Sequence, residues 1–521
     1  MFLCTMCFDN CASHTVKGRG NMEYNLMRTL CVVMAAALGA VTVQATEQKS
    51  NRISKEGSRP TYMQANAPIE ERVKDLLARM TLEEKTAQLQ SSSPIPQIPS
   101  MPIGPTSSFG IFKDGKVNDA VAQRALGNGI GVYTNLSFAG TAISAVAGVQ
   151  QQNAIQQWVM TNTRLKIPVM FRAEALHGAV VTGATSFPQA VGLGSTWDRE
   201  LIREMFEVVG REARAGGMSA VLAPVFDLAR DPRFGRVEEM YSEDPYLVGE
   251  LGVAAVQGLQ GIDSDRSAID RNHVMATAKH FVHGQPESGT NTAPNDFSER
   301  TMRSIFFLPF EKAVKIGKVG AVMPSYNEND GGIPSHANRW MLKDVLRGEW
   351  GFNGIVDSDW FAVSQLARSH HVAKDLPAAG VLAFNSGTDI ESPTSASFAT
   401  LKDAISAGSV REEDINVAVS RVLTMKFRLG LFEHPYTDPK RPAAEVGAPA
   451  NNALARKVDD ESIILLKNAD KLLPIDAAKI GSIAVIGPNA NKVRIGGYSA
   501  MPPYFASVLD GIRERVSIEC S

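Results

Sequence analysis

Short apolar segments alternate with amphipathic segments through the middle of the chain. The apolar segments are rich in β-branched residues, which is typical of buried strands, and they occupy residues 129–136, 167–171, 219–225, 274–278, 320–323, 354–356 and 381–384. Helical patterns separate them, at residues 141–163, 198–216, 245–260, 298–315 and 338–349. Alternating strands and helices form parallel sheets with crossover helices, and a run of this many units favours a closed (β/α) barrel.

The pattern changes after the last of these units. Residues 410–431 have the pattern of a closing amphipathic helix, and the following stretch is rich in Pro, Ala and charge, which is typical of a linker. A second α/β unit then begins, with a helical pattern and an apolar strand at residues 481–486. We therefore predict a barrel domain at 60–435, a linker at 436–450 and, at 451–521, a second domain that is shorter than the roughly 100 residues of an ordinary one.

The start of the chain carries the pattern of an export signal. Arg28 precedes an apolar run at residues 30–43, and small residues up to Ala45 form a plausible cleavage site. The run is short for a bilayer span. We predict a signal peptide with an upstream extension, or translation from Met22 or Met27, and an exported protein that is periplasmic or secreted.

Composition excludes several classes of function. The formal net charge is −2, so no basic field favours nucleic acid. After residue 45 no stretch is long and apolar enough for a membrane helix, so we expect no membrane partner. Cys4 and Cys7 have the spacing of half a metal site, but no second pair follows at a suitable distance, and we predict neither a metal nor another cofactor.

Polar residues follow the predicted strands, where a barrel places its active site. They are Arg172 and Glu174, Asp227 and Asp231 to Arg236, Lys279 and His280, Ser325 to Asn327, and Asp357 to Trp360. Charged groups bind ring hydroxyls, and an aromatic face packs on sugar C–H groups, so this set favours a carbohydrate. Each member alone also has a structural interpretation. Asp357 and Asp359 compete for one role, because two residues apart on a strand they point the same way.

Several motifs in this order resemble family-3 glycoside hydrolases, the group of β-glucosidases and β-xylosidases, over about residues 68–509. They are Glu174-Ala-Leu-His-Gly178, Asp231-Pro-Arg-Phe-Gly-Arg236, Tyr241-Ser-Glu-Asp-Pro245, Lys279-His-Phe281, Met323-Pro-Ser-Tyr-Asn327, Ser358-Asp-Trp360, Lys426-Phe-Arg-Leu-Gly-Leu-Phe432 and Leu465-Leu-Lys-Asn468. The resemblance implies an α/β fold: a (β/α)8-type TIM barrel followed by an αβα sandwich, which is incomplete here.

The resemblance also implies a role for individual residues. Asp359 matches the nucleophile, Tyr326 a residue beside it, and Trp360 an aromatic wall at the subsite entrance. The positions that bind the sugar hydroxyls match Glu174, Arg233, Lys279 and His280. The implied activity is that of a retaining exo-β-glycosidase, a β-glucosidase that removes terminal glucose from a β-linked oligosaccharide or glycoside. A β-xylosidase is the alternative, because Glu174 is one methylene longer than the Asp of many glucosidases in the family.

The chain departs from the family pattern at two places. The usual acid/base, a Glu of the second domain, has no matching position, and the tail offers only Glu514 and Glu519. If the acid lies elsewhere, Glu238, Glu239 and Glu287 are the next candidates. Residues 279–284 also form a loop one residue shorter than usual.

The missing acid keeps a second class of function open, a sugar-binding protein without efficient turnover. The β-N-acetylhexosaminidases of the family, which carry a His acid/base in a barrel loop, are disfavoured. Residues 285–295 contain no His, and sequence of the second domain is present.

Overall fold

The computed structural model describes residues 59–134, 143–261, 268–283, 289–329, 331–502 and 505–516. The predicted export signal lies outside these residues, as do Glu287 and Glu519. The chain divides into two compact units, at 1–64 and 65–521, and the described part of the first contains a 3₁₀ helix, Thr61–Met63. No helix in the described ranges is long and apolar enough to cross a membrane.

The second unit contains a closed barrel of short parallel strands, with eight positions around the ring, and two hairpins outside it. The strands are β1 (Ser91–Ser92), β2 (Phe112–Lys113), β3 (Lys116–Val117), β4 (Val132–Thr134), β5 (Met170–Ala173), β6 (Ala220–Val221), β7 (Thr277–Phe281), β8 (Ala321–Pro324), β9 (Glu328–Asn329), β10 (Ile333–Pro334) and β11 (Ile355–Val356). The ring follows the order β1, β4, β5, β6, β7, β8 and β11, and every pair in it is parallel. Ile390 and Glu391 pair with Asp357 and Gln90 and close it. β2–β3 and β9–β10 are antiparallel hairpins outside the ring.

Helices follow the strands and most of them cover the barrel, whereas the last lies in the exposed tail. They are α1 (Ile69–Arg79), α2 (Leu82–Gln88), α3 (Asp119–Leu126), α4 (Ala145–Asn162), α5 (Ala190–Gly194), α6 (Arg199–Ala215), α7 (Pro245–Gln260), α8 (Glu299–Thr301), α9 (Phe307–Lys315), α10 (Ala362–Arg368), α11 (Leu376–Ser386), α12 (Leu401–Ser406), α13 (Glu412–Arg428), α14 (Arg441–Glu445), α15 (Pro449–Ser462) and α16 (Val508–Val516). Met302–Phe306 and Trp340–Glu349 are π-helical, and short 3₁₀ helices lie at Val237–Glu239, Ser335–Ala337, Phe398–Thr400 and Ala477–Lys479. Helices α6 and α7 begin where the sequence predicts, because the side chains of Asp198 and Asp244 cap their first turns.

One predicted strand is a helix. Residues 381–384 lie inside α11, which begins after Asp375, whose side chain accepts the main-chain N–H of Ala378. Pro377 lies in the first turn of this helix. Proline is suited to that position, because a main-chain N–H there would have no partner within the helix. The corresponding barrel position belongs to residues 390–391, which follow this helix. The apolar run at 381–384 therefore packs a helix face and does not extend the sheet.

The register of β7 shifts between Lys279 and Phe281. Phe281 packs outward among Phe307, Phe310 and Trp350, with ring centroids 5.3–5.6 Å apart. A regular strand alternates its side chains, but such an irregularity lets two consecutive residues face the same side. Lys279 and His280 both face the barrel mouth for this reason.

The tail beyond α15 is largely exposed. The strand predicted at residues 481–486 is not formed, and Ile486 is 89% exposed. A strand needs a neighbour for its main-chain bonds, and the described tail contains no other strand to pair with it. Residues 495–501, the docked segment, are the exception. There the Gly497 N–H donates to Glu238, and the Gly497 carbonyl hydrogen-bonds the His177 ring. The Met501 carbonyl accepts the N–H of Gly183.

Candidate active site

An open cleft of about 710 Å³ lies at the carboxyl ends of the barrel strands. It is lined by Glu174, Arg236, Lys279, His280, Asn291, Tyr326, Asp359, Trp360 and Tyr498. The structure thus brings together all the predicted site residues except Arg233. The docked segment supplies Tyr498, whose ring lies 5.1 Å from the Lys279 ammonium nitrogen.

Asp359 lies just beyond β11 and is 7% exposed. Its Oδ1 accepts the Tyr326 hydroxyl at 2.8 Å and the Trp360 main-chain N–H at 2.7 Å. Among the described residues its Oδ2 has no hydrogen-bond partner, and it lies 3.7 Å from His280 Nε2. Burial and the Asp359 charge raise the pKa of Tyr326, which therefore remains a hydrogen-bond donor. One carboxylate oxygen is thus fixed by two donors, and the other is unengaged.

Asp357 has a different environment, although it lies two residues away. Its carboxylate forms a buried ion pair with Arg172 and accepts the Ser392 hydroxyl at 2.8 Å. Arg172 also donates to Thr134, so the pair ties β4, β5 and β11 together inside the barrel. Both oxygens of Asp357 are engaged, which favours a structural role for Asp357 and leaves Asp359 as the candidate nucleophile.

Glu174 and Lys279 form a second buried ion pair at the cleft wall. Lys279 Nζ donates to Glu174 Oε2 at 2.7 Å, and both side chains are at most 7% exposed. Burial raises the pKa of Glu174, and the Lys279 ammonium opposes that rise. The pair presents one cationic donor and one carboxylate acceptor to the cleft, a combination that suits neighbouring hydroxyls of a sugar.

His280 is oriented by Asp227, which the sequence placed at a strand end without a role. Asp227 accepts the His280 main-chain N–H at 2.9 Å, and its Oδ2 lies 2.7 Å from Nδ1. On the other side of the ring, Arg236 Nη2 lies 3.0 Å from Nε2. Burial, together with the Arg236 charge, lowers the pKa of His280 to about 3. A neutral ring that donates from Nδ1 and accepts at Nε2 satisfies both neighbours.

Arg233 and Arg236 belong to one motif but lie in different places. The Arg233 guanidinium and the Arg233 main-chain N–H both donate to the Asp231 carboxylate. The side chain of Arg233 is 65% exposed. Arg236 enters the cleft and binds Glu239 through two parallel hydrogen bonds of 2.7 and 2.9 Å. Arg236 therefore lies in the cleft, and Arg233 does not. The motif alone contains two arginines and does not tell them apart.

The two arginines give a matched test. We expect R236Q/E239Q to lower kcat/KM on nitrophenyl glycosides about 10- to 100-fold, the range for loss of a hydrogen bond to a charged group. The second change removes the buried Glu239 carboxylate that R236Q alone would leave unpaired. The control, R233Q, is expected to stay within a few-fold of the wild type. Equal losses in the two variants would contradict the assignment of Arg236.

His336 is a second residue that the sequence did not indicate. It is 1% exposed, and its Nε2 accepts the main-chain N–H of Asp359 at 3.1 Å. Its ring also hydrogen-bonds the main chain of Ser325, which follows β8. Burial lowers the pKa of His336 to about 3, so the ring remains an acceptor at neutral pH. His336 thus links the ends of β8 and β11 and orients the backbone that carries Asp359.

Removal of this acceptor should impair catalysis without a loss of binding. We expect H336L to lower kcat about 10-fold or more, because the Asp359 N–H loses a partner worth about 1–3 kcal/mol, while KM changes little. H336Q retains an acceptor and should recover much of that loss. The rate of labelling by a 2-fluoro glycoside measures the step directly. Equal rates for the Leu and Gln variants at equal stability would argue against a positioning role.

The described carboxylates that line or border the cleft, apart from Asp359, are all engaged. Glu174 pairs with Lys279, Asp227 with His280, and Glu239 with Arg236. Glu238 accepts the Gly497 N–H, and Glu514 lies exposed on α16. None of these side chains is a free carboxyl group facing Asp359. Within the described residues, the geometry identifies a nucleophile but no separate acid.

Comparison with known proteins identifies the family. Residues 81–425 match the model of the glycosyl hydrolase family 3 N terminal domain, and residues 463–519 match that of its C-terminal domain. The chain belongs to glycosyl hydrolase family 3. The first match contains every lining residue of the cleft except Tyr498, which lies in the second. The expected fold, a TIM barrel with part of a second domain, is confirmed at this level.

Relatives within the family have more than one named activity. The chain is 42% identical to a beta-xylosidase of Formosa agariphila over 72% of its own length and 55% of the relative's. It is 34% identical to a periplasmic beta-glucosidase of Salmonella typhimurium, over 85% of this chain and 54% of the other.

Solved structures give a similar picture. A β-glucosidase of Erythrobacter marinus superposes with a TM-score of 0.80 at 31% identity, over 88% of this chain and 58% of that one. A β-glucosidase of Listeria innocua in complex with glucose gives a TM-score of 0.73 at 32% identity, covering 85% and 58%. The chain therefore spans about half the length of the relatives that it matches.

Proposed function

We propose that this protein is a retaining exo-β-glycosidase that acts on terminal β-D-glucosyl residues through a covalent intermediate on Asp359. The observation that carries the proposal is the asymmetry of this carboxylate. Tyr326 and the Trp360 N–H hold Oδ1, and Oδ2 is unengaged. A carboxylate that must attack an anomeric carbon needs one free oxygen in a fixed orientation, and this arrangement supplies it.

The surrounding residues suit the charge changes of this reaction. In the proposed first step, Asp359 Oδ2 forms a bond to the anomeric carbon as the bond to the leaving oxygen breaks, through an oxocarbenium-like transition state. Lys279, Glu174 and Arg236 would hold the sugar hydroxyls by charge-assisted bonds. Water then attacks the anomeric carbon and replaces Asp359 Oδ2 there, which restores the carboxylate; the proton that this water gives up balances the one that the departing oxygen takes up from solvent. No metal or other cofactor is part of this proposal.

Stereochemistry tests the mechanism. Proton NMR of the hydrolysis of a nitrophenyl β-glucoside should show the β-hemiacetal first, with the α-anomer appearing only by mutarotation. Initial release of the α-anomer would mean direct attack by water and would contradict a covalent intermediate. Absence of any hydrolysis, with glucose binding retained, would instead support a sugar-binding protein.

A β-xylosidase is the second candidate, favoured by Glu174 and by the 42% identity to a beta-xylosidase. We expect E174D to raise the ratio of glucoside to xyloside kcat/KM about 10-fold, since one methylene in a pocket discriminates by about 1–3 kcal/mol. The shorter side chain withdraws from the space that the glucose C6 group needs. Kinetics on matched nitrophenyl glycosides measure the ratio. An unchanged ratio would mean that Glu174 does not distinguish the two sugars.

We also propose that the protein is exported, with a barrel domain at 60–435, a linker at 436–450 and second-domain sequence at 451–521. The apolar run after Arg28 and the similarity to a periplasmic beta-glucosidase support export. Amino-terminal sequencing of protein from the periplasm would test it, with a mature start near Thr46 as the expected result.

A further inference from the structure

Tyr498 lies in the cleft, but the mechanism proposed above gives it no role. It belongs to the docked segment, and its ring centroid lies 5.1 Å from the Lys279 ammonium nitrogen, within the range of a cation–π contact. The ring also packs against an apolar cluster of the barrel that contains Leu176 and Phe234. A charged contact and an apolar contact therefore hold this ring at the cleft wall.

The Tyr498 hydroxyl lies among the charged groups of the cleft. Burial, followed by the charge of Glu174, raises the pKa of Tyr498, and Glu239 and Asp359 act in the same direction, whereas Arg236 opposes the rise. The phenol therefore keeps its proton at neutral pH and remains a hydrogen-bond donor. Because electrostatic effects fall off with distance, the influence of these four groups indicates that the hydroxyl faces the same space as they do.

The main chain at Tyr498 has a conformation that is unusual for a bulky residue. Its φ is 52°, in the left-handed region that favours glycine. A bulky residue is held in this region at a cost in free energy, and such residues cluster at sites that bind ligands. Gly496 and Gly497, which adopt this region easily, directly precede it. An aromatic side chain at this position, where a glycine would fit without strain, indicates a role for the side chain itself.

Barrel residues hold the docked segment on both sides of Tyr498. Glu238 accepts the N–H of Gly497 at 3.1 Å. The Nε2 atom of His177 lies 3.2 Å from the Gly497 carbonyl oxygen and 3.2 Å from the Ser499 hydroxyl. His177 is 2% exposed, so the ring that contacts the segment is itself packed in place. The two residues that flank Tyr498 are therefore both tied to the barrel.

Gly496 allows the segment to approach the barrel this closely. Its φ is 76°, and a Cβ atom at this position would overlap the Gln189 side chain. The amide nitrogen of Gln189 donates to the Ile495 carbonyl at 3.0 Å, so this side chain is part of the docking contact. Another residue at position 496 would therefore be strained both in its backbone and in its contact with the barrel.

We propose that Tyr498 is a sugar-binding residue, whose hydroxyl donates to a hydroxyl of the terminal sugar and whose ring forms the pocket wall beside Lys279. Glu238 and His177 are positioning residues, which hold the docked segment on either side of it. An aromatic ring beside a cation suits a sugar, because the ring packs on C–H groups while the cation and the phenol bind hydroxyls. This inference rests on the proposed function for its ligand, the terminal sugar.

Glucose binding by the full chain tests this role without any turnover. In calorimetric titration, Y498F should bind glucose about 3- to 10-fold more weakly than the wild type, the loss expected for one neutral hydrogen bond. Y498A should bind it at least about 10-fold more weakly, because the aromatic wall is lost as well. Monodeoxy glucoses, each lacking a different hydroxyl, identify the partner. One of them should bind the wild type more weakly than glucose does, but should bind Y498F as well as glucose does.

Glu238 gives a matched test of positioning. E238A removes the acceptor of the Gly497 N–H and should weaken glucose binding toward that of Y498A, whereas E238Q keeps a carbonyl acceptor and should bind as the wild type does. In the Y498A background E238A should cause no further loss, because both changes act through one side chain. G496A should resemble E238A. G481A is its control, since a Cβ at that exposed glycine meets nothing within 4 Å.

The outcomes separate a sugar contact from simple packing. The proposal is overturned if Y498F and Y498A both bind glucose with wild-type affinity, because Tyr498 would then serve packing alone. It is also overturned if the losses in Y498A and E238A add in the double variant. Failure of the proposed function gives a different result, in which the wild type binds glucose and Y498F binds it more weakly, but no β-glucoside is hydrolysed. A wild type that bound neither glucose nor xylose would contradict both.

Discussion

The D359N variant should lose at least about 10⁴-fold in kcat, in the range found when a nucleophile is removed from an enzyme. The Tyr326 hydroxyl and the Trp360 N–H both contact Oδ1 of Asp359. An amide oxygen can accept both bonds, so the variant should fold with nearly unchanged Tm. What it loses is the anionic Oδ2 needed for bond formation. Steady-state kinetics on a dinitrophenyl β-glucoside and a thermal melt measure the two effects separately.

Trapping with a 2-fluoro glycoside identifies the residue itself. Peptide mass spectrometry of the labelled wild type should place the sugar on Asp359, and D359N should not be labelled. D357N is the matched control, because it makes the same chemical change two residues away. It leaves the buried Arg172 without its carboxylate, which should cost about 3–5 kcal/mol of stability. The folded fraction of D357N should still take the label. A label on Asp357 in the wild type would reverse the two assignments.

The elements that the sequence predicted are those with strong local signals. The start of α7 is one example, since Asp244 caps the helix, Pro245 fits its first turn and an apolar face follows. The closing strands gave no such signal. Ser91 and Ser92 of β1 are polar, and residues 390–391 pair only through isolated bridges, so their place in the barrel depends on the ring being closed. Patterns of apolar residues do not show this kind of non-local pairing.

The same distinction applies to the site. The rule that barrel chemistry lies at strand carboxyl ends was sufficient to bring Glu174, Lys279 and Asp359 into one group. It did not separate Arg233 from Arg236, because the turn that folds Arg233 onto Asp231 is set by the loop. His336 was missed for another reason. It follows β10, 23 residues before Asp359, and its role depends on a main-chain contact that no local sequence pattern shows.

The rate of hydrolysis should depend strongly on the leaving group, because no free carboxyl group of the cleft is placed to protonate it. Asp359 needs a partner to protonate the departing oxygen, and Glu174, Asp227 and Glu239 are each committed to a cation or a histidine. General acid catalysis contributes about 10²–10⁴-fold, and we expect this chain to lack that contribution for poor leaving groups such as the sugar of cellobiose or xylobiose. Dinitrophenolate needs no proton, so dinitrophenyl glycosides should suffer least.

Azide distinguishes a missing acid from a damaged site. An anion that attacks the glycosyl-enzyme needs no general base, so azide should accelerate turnover of dinitrophenyl glycosides and yield a β-glycosyl azide. The E239Q and E174Q variants serve as controls, because removal of the acid/base is what makes turnover sensitive to azide; if neither residue is the acid, both variants should respond to azide as the wild type does. Bell-shaped activity on cellobiose that azide does not change would contradict the prediction and would place the acid within these 521 residues. The measurement requires monomeric protein, shown by light scattering, because the exposed apolar side chains of the tail, Leu466 and Ile486 among them, favour association.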